Sequence, residues 1–325
     1  MPRPSKAPAR VIVVVFDGVQ TLDATGPAEV FAAASRARGA PTYEVIVASA
    51  GGGDRTTSCN LVIRTRALAR LAPRPTDTIV VAGGDAAPIR AAVADAALRR
   101  WLVRAARLGC RMASVCSGAF LLAAAGLLDG LRAATHWSAT AELARRFPAV
   151  QVDGNAIFVR TGQIWTSAGV TTGIDMALAI VEDDHGRRIA DDIAARLVLY
   201  VRRPGFQSQW SAALVAQCAH ADPLGPAIAW ARGHLATLDV DALAHRAGLS
   251  VRTLHRRCLD QLSLTPAKLI DKLRVEHART LLTAGDPAKS VAATCGFGSP
   301  THMKRAFERQ LGLGPREYRA LHAAP

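Results

Sequence analysis

An α/β domain built on a mostly parallel sheet, followed by an all-α domain with two helix-turn-helix units, is the architecture that this 325-residue sequence predicts. Three observations predict it. Short β-branched runs alternate with Ala-rich helical stretches in the first part of the chain, the order expected of a parallel sheet covered by helices. After Arg203 such runs stop and only helical periodicity remains. Within that last part, one combination of glycine-bearing turn and apolar spacing occurs twice.

The first strand runs are Val11–Phe16, Tyr43–Ala48 and Thr78–Ala82, and helices are expected over Ala28–Arg38 and Ala91–Leu108. Further strands follow at Arg111–Val115, Ile157–Arg160 and Ile164–Thr166, then a long helix from about Thr172. Pro204-Gly205, Asp222-Pro223 and Gly225-Pro226 punctuate a stretch with little periodicity. These breaks predict a first domain over 10–204, a linker over 205–225 and a second domain over 226–325.

Half of the residues are apolar, which gives each of two domains enough material for a core. Lys plus Arg number 40 against 26 Asp plus Glu, a net charge of +14 that suits an anionic partner. Residues 226–325 hold 15 basic and 8 acidic side chains, a net +7, whereas residues 1–225 need 25 and 18 to reach the same +7. Positive charge is therefore concentrated toward the C-terminal end. Cys59, Cys110, Cys116, Cys218, Cys258 and Cys295 form no C-x-x-C pair or His/Cys cluster, so no metal, cofactor or disulfide framework is expected. The apolar run Val11–Phe16 stops at Asp17, too short for a secretory segment or a membrane span, and a cytoplasmic protein with no membrane partner is the expectation.

The repeated segments are AGLSVRTLHRRCLDQLSLTP, Ala247–Pro266, and CGFGSPTHMKRAFERQLGLGP, Cys295–Pro315. In each, a short helix (Val240–Ala247; Ala288–Thr294) ends at a glycine suited to a left-handed cap, and a Ser follows where a second helix needs an N-cap. Leu254 and Cys258, like Met303 and Phe307, stand four apart and face a core. The opposite faces carry Arg252, His255, Arg256 and Arg257 in the first unit and Thr301, His302, Lys304, Arg305 and Arg309 in the second. Such side chains neutralise phosphates, and an Arg near a helix start forks onto guanine in a major groove. A continuous helix from Pro266 to about Ala284 would hold the two units apart.

With Ala292, Gly296-Phe297 and Pro315-Arg316-Glu317-Tyr318-Arg319 added, residues 226–325 resemble the DNA-binding domain of the AraC/XylS family. The resemblance implies that Arg252, His255 and Arg256, then Thr301, Lys304 and Arg305, face bases or adjacent phosphates. Two positions depart from the family pattern: Cys258 replaces a usual aromatic, and Pro300 opens the second recognition helix.

In the first domain, Arg111-Met112-Ala113-Ser114-Val115 runs as a strand into Cys116-Ser117-Gly118-Ala119-Phe120 and an apolar helix. This places Cys116 on a tight strand-to-helix turn, where a helix N-terminus favours thiolate and small neighbours allow the backbone to turn sharply. Cys116 is on that basis expected to be the most reactive thiol. Together with Phe16–Phe31, Ala82-Gly83-Gly84, Thr135-His136-Trp137 and Thr166–Gly169, the turn resembles the ThiJ/PfpI superfamily, related to class I glutamine amidotransferases. The resemblance implies a flavodoxin-like parallel sheet sandwich. It matches Cys116 to the superfamily nucleophile, Asp23 to the acid beside it and His136 to a nearby histidine. Gly84 and Ser117 would then supply backbone N–H groups to an oxyanion site.

A ThiJ/PfpI domain joined to an AraC-type domain resembles the GlxA/FtrA group of regulators, in which the front domain senses rather than catalyses. The implied partners are promoter DNA, a small-molecule effector, a second copy of the chain and, as a further candidate, RNA polymerase. The competing expectation is a cysteine-dependent enzyme of the isocyanide hydratase type that carries a DNA-binding domain.

Overall fold

The computed structural model describes residues 8–199, 202–205, 209, 223–262, 264–311 and 314–322. The chain divides into two compact units, Met1–Gln209 and Trp210–Pro325.

The first unit is organised by an eight-stranded sheet of order β3-β4-β2-β1-β5-β6-β10-β9. Its strands are β1 (Ala9–Val14), β2 (Tyr43–Ser49), β3 (Gly53–Thr56), β4 (Val62–Ala67), β5 (Thr78–Val81), β6 (Arg111–Val115), β9 (Phe158–Thr161) and β10 (Ile164–Ser167). All neighbouring pairs are parallel except the two at the edges, β3 with β4 and β9 with β10. A small second sheet pairs β7 (Arg132–Ala133) with β8 (Gln151–Val152).

Strand β1 shows why the sheet needs cover on both faces. Ile12 and Val14 join one core with Ile79, Leu102, Met112 and Leu121, while Val11, Val13 and Val15 join the other with Phe31, Met176 and Leu178. All five β1-segment residues are within 1% of full burial, and each such side chain contributes roughly 1.5–3 kcal/mol. Helices α1 (Thr21–Arg38), α6 (Thr172–His185) and α7 (Arg187–Arg196) supply the second face. Helices α2 (Ala86–Ala94), α3 (Ala96–Arg107) and α4 (Ala119–Ala124) supply the first, with α5 (Thr140–Arg146) beside them.

Several boundaries differ from those the sequence led us to expect. The single helix over Ala91–Leu108 is two, because the Asp95 carboxylate caps the second by accepting from the N–H groups of Ala97 and Leu98 at 2.9 and 3.0 Å. The edge strands β3 and β4 were hidden by a polar, Gly-rich sequence that buries few side chains. The expected linker, 205–225, overlaps both units. At its start, Gly205 accepts from the N–H groups of Ile157 and Phe158 and Gln209 bonds to Asn155; at its end, α8 begins at Leu224.

Among its described residues the regular elements of the second unit are all helices: α8 (Leu224–Ala231), α9 (Val240–Arg246), α10 (Val251–Leu262), α11 (Pro266–Thr283), α12 (Ala288–Thr294), α13 (Pro300–Leu311) and α14 (Pro315–His322). Gly248 and Gly296 adopt φ of 64° and 72°, ending α9 and α12 in left-handed turns. A side chain at Gly296 would also collide with the Leu235 carbonyl at 2.1 Å. Ser250 Oγ then accepts from the Thr253 N–H, and Ser299 Oγ from the His302 N–H, each at 3.2 Å. Pro300, a departure in the sequence pattern, sits in the first helical position, where its missing N–H costs nothing. No helix among the described residues is long and apolar enough to cross a membrane.

Candidate functional site

The end of β6 turns directly into the segment Cys116–Gly118, and the turn is strained at its first residue. Cys116 has φ of 56°, a left-handed conformation that costs a non-glycine residue about 1–3 kcal/mol. Close packing of backbone holds it there. A Cβ on Gly169 would lie 2.4 Å from Cys116 Cβ, one on Gly83 2.8 Å from the same atom, and one on Gly118 2.3 Å from the Val81 carbonyl oxygen. The loop carrying Gly169 has a second strained residue, Val170, with φ of 50°.

Asp23, on the first turn of α1, lies wholly buried behind the sulfur. Its Oδ1 accepts from the Val170 N–H at 2.8 Å and its Oδ2 from the Gly83 N–H at 3.2 Å. Burial pushes its carboxyl up to about 6, against the lowering effect of the Val170 and Gly83 amides and of the Cys116 thiol. The same burial, followed by the Asp23 charge, pushes the Cys116 thiol up to about 12, with the Ser117 amide and hydroxyl opposing. Both effects favour the neutral thiol over the thiolate. This reverses the expectation of an activated thiolate: the helix terminus is outweighed by desolvation and an adjacent negative charge.

The expectation of greatest reactivity moves to Cys59. That thiol is exposed, stands 2.9 Å from Thr21 Oγ1, and is lowered by hydrogen bonds from Thr21 and Thr57. Cys110 and Cys295 are buried thiols pushed up to about 11, while Cys218 lies outside the described residues.

Gly84, Cys116, Ser117 and His136 line one cavity of about 350 Å³, and Asp23 supports its floor from behind. Gly84 does not offer a free N–H. Ser117 Oγ accepts from it at 2.9 Å and donates back to the Gly84 carbonyl at 2.6 Å, satisfying a hydroxyl that is itself buried. Gly84 is thus engaged and does not provide the free N–H anticipated for an oxyanion pair. His136 Nδ1 lies 2.7 Å from Ser138 Oγ, and no hydrogen bond joins its ring to Cys116 or Asp23 among the described residues. Burial lowers its pKa, keeping the imidazole neutral. Sequence reasoning missed the other walls. Ile89 and Phe120 are apolar, and Gln20, Arg90, Glu142 and Arg146 bring polar groups to the same space. Gln20 and Phe120 lay within segments already singled out, whereas Ile89 and Arg90 on α2 and Glu142 and Arg146 on α5 belong to no motif. Glu29, on α1 but exposed and paired with Arg36, has no part in the cavity.

The second unit presents its basic faces on α10 and α13. Leu254 and Cys258, with Met303 and Phe307, are at most 1% exposed, so the opposite faces point to solvent. Arg252, His255, Arg256, Thr301, Lys304 and Arg305 are all exposed. Lys304 pairs loosely with Glu308 at 3.6 Å, whereas Arg252, Arg256 and Arg305 make no ion pair or hydrogen bond among the described residues. Two residues of the anticipated basic face are otherwise engaged. Arg309 pairs with Asp271 of α11 at 2.6 Å, and His302 Nδ1 lies 2.9 Å from the Phe297 carbonyl oxygen. Among the described residues no cluster of His, Cys, Asp and Glu could hold a metal ion.

Comparison with known proteins agrees with both halves. Residues 9–183 match the DJ-1/PfpI family and residues 243–321 a helix-turn-helix domain. The HTH-type transcriptional regulator CdhR of Pseudomonas aeruginosa is 30% identical over 287 residues, covering 87% of this chain and 83% of that protein. The HTH-type transcriptional regulator GlxA of Rhizobium meliloti is 31% identical over 292 residues, 88% of each. Among solved structures, a ThiJ/PfpI family protein from Pseudomonas syringae superposes with a TM-score of 0.54 at 26% identity, covering 61% of this chain and 78% of that one. An AraC family transcriptional regulator from Pseudomonas putida superposes with a TM-score of 0.53 at 23% identity, covering 58% and 100%, and shares the fold. The chain belongs to the DJ-1/PfpI family and, within it, to the transcription regulators that join this domain to an AraC-type helix-turn-helix domain.

Proposed function

We infer that the cavity above Cys116 is an effector site, that it does not turn over its ligand, and that its occupancy governs DNA binding by α10 and α13. The observation that carries this reading is the pairing of Cys116 with Asp23. A thiol held near 12 by burial and a carboxylate is a poor nucleophile at neutral pH, yet it remains a hydrogen-bond donor at the floor of a partly polar cavity. The competing hydratase reading is favoured by the same pair if Asp23 takes the thiol proton during attack. Arg252, His255, Arg256, Thr301, Lys304 and Arg305 are the proposed DNA contacts, since they are exposed on the two second helices. A homodimer would place two such readers on a repeated site.

The test starts with the full chain and a random duplex library, from which a preferred site is selected. A thermal-shift screen of nitrogenous and carboxylate metabolites then identifies cavity ligands. An effector should bind without being consumed and change affinity for the selected duplex. Conversion of many equivalents of the ligand per chain that disappears in Cys116→Ser would establish the enzyme reading instead.

A further inference from the structure

Gln209, the residue at which the first unit ends, is tied to the wall of the cavity. Its Nε2 donates to the Thr135 and Ala156 carbonyl oxygens at 3.0 and 3.1 Å, and its backbone N–H donates to the Asn155 carbonyl at 2.9 Å. Thr135 is fully buried, and its hydroxyl donates to the Cys116 carbonyl at 2.9 Å. The next residue, His136, lines the cavity.

Arg203 makes a second tie to another wall. Its backbone N–H and Nε donate to Asp175 at 2.9 Å each, and its Nη2 donates to Thr171 Oγ1 at 2.8 Å. Beside Thr171 stands Val170, the strained residue that lines the cavity and binds Asp23. Between the ties, Gly205 is held so closely that a Cβ there would sit 2.6 Å from the Phe158 carbonyl oxygen. The chain that leaves the first unit is therefore bonded one residue away from two separate cavity walls.

The Gln209 tie is also incomplete. Its Oε1 is buried with no hydrogen-bond partner among the described residues, a desolvation cost that release of the side chain would recover. A contact held against such a cost shifts with a small change in its partners.

We propose that Gln209 and Arg203 transmit the state of the Cys116 cavity to the DNA-binding unit, by loosening or tightening the point where the chain departs. This rests on the effector-sensing reading. A ligand that displaces His136 or Val170 moves the Thr135 carbonyl or the Thr171 hydroxyl with it, and so alters the bond to Gln209 or Arg203. By linkage the coupling runs both ways, so DNA binding must alter the cavity.

That reciprocity allows a test with no effector. Full-length protein is treated with iodoacetamide with and without the selected duplex, and carbamidomethylation of Cys116 is followed by peptide mass spectrometry. Because labelling of a buried thiol follows the local opening that exposes it, we expect saturating duplex to shift that opening equilibrium, and with it the Cys116 rate, by about fivefold or more. In Gln209→Leu, and in Arg203→Lys, which keeps a charge for Asp175 but loses the fork to Thr171, this dependence should vanish while duplex affinity stays within about twofold. A duplex-independent rate in the wild type, or wild-type dependence retained in both variants, would overturn the proposal. Failure of the effector screen with the labelling dependence intact would count against effector sensing while upholding the coupling.

Discussion

The buried Asp23 carboxylate, which accepts from the N–H groups of Val170 and Gly83, raises the pKa of the neighbouring Cys116 thiol beyond what burial alone does. One buried acid thereby lies beside the turn after β6 and ties the loop after β5 to the loop before α6, adding to the effect of burial on the thiol that lines the cavity.

The first prediction is a pH dependence. Asp23 titrates near 6 in the folded protein against an ordinary 3.8, so the folded state holds a proton that the unfolded chain has released. Stability is then full below about pH 4 and declines as pH rises to about 6, by up to about 3 kcal/mol. Urea denaturation of wild type and Asp23→Asn across this range should show the wild type losing ground relative to the variant. A difference independent of pH would mean that Asp23 is not buried as described.

Thiol labelling separates exposure from position at the turn. Iodoacetamide should modify Cys59 well before Cys116 in the native protein, because one thiol is exposed and lowered and the other is buried and raised. Peptide mass spectrometry at short times gives the order; Cys116 reacting first would restore the activated nucleophile.

Gly169 has no room for a methyl group. Gly169→Ala would bring a Cβ within 2.9 Å of Cys116 Sγ at a φ of 110°, and should destabilise the first unit by more than about 1–3 kcal/mol, the cost of backbone strain alone. Thermal unfolding reads this out, and an unchanged midpoint would contradict the packing.

Lys272 on α11 is 5% exposed, and burial lowers it to about 8, with Glu276 opposing. At neutral pH its charge is carried into the folded state at a cost of up to about 3 kcal/mol, which Lys272→Met removes. The variant should raise the stability of the helical unit, the gain shrinking as pH rises from about 8 to about 10.5. A loss of stability near pH 7 would mean that the ammonium has a favourable partner.

Much of this was legible in the sequence, for reasons that individual residues make plain. Gly248 and Gly296 announced their turns because only a left-handed backbone ends both helices there, and Ser250 and Ser299 announced the following starts. Cys116 was placed on its turn by the small residues Ser117, Gly118 and Ala119 that follow it between a short strand and an apolar helix. Its chemistry was not, since the thiol answers to Asp23, ninety-three positions away along the chain, and the sequence says nothing of how deeply that acid is buried. Gly84 was expected, from the resemblance alone, to offer its N–H, and the sequence could not reveal that Ser117 Oγ occupies it. Gln209 lay in a stretch that read as linker because its contacts are all long-range.

For DNA recognition, Arg256→Ala and Arg305→Ala should each cost about 1–3 kcal/mol on the selected duplex and less on random DNA if they read bases. Arg309→Ala should have a smaller effect, as its guanidinium is engaged by Asp271. Fluorescence anisotropy on both duplexes decides; equal losses on both would assign Arg256 and Arg305 to phosphates.

The central claim is that occupancy of the Cys116 cavity changes DNA affinity, and it is tested most directly by the Kd of the full chain for the selected duplex with and without a saturating cavity ligand. The ligand is one that raises the melting temperature of the wild type but not of Ala139→Trp, which fills the cavity from the wall before α5. We predict a change in Kd of at least about fivefold in the wild type and none in Ala139→Trp. An unchanged Kd in the wild type, with the ligand shown to be bound, would contradict the account.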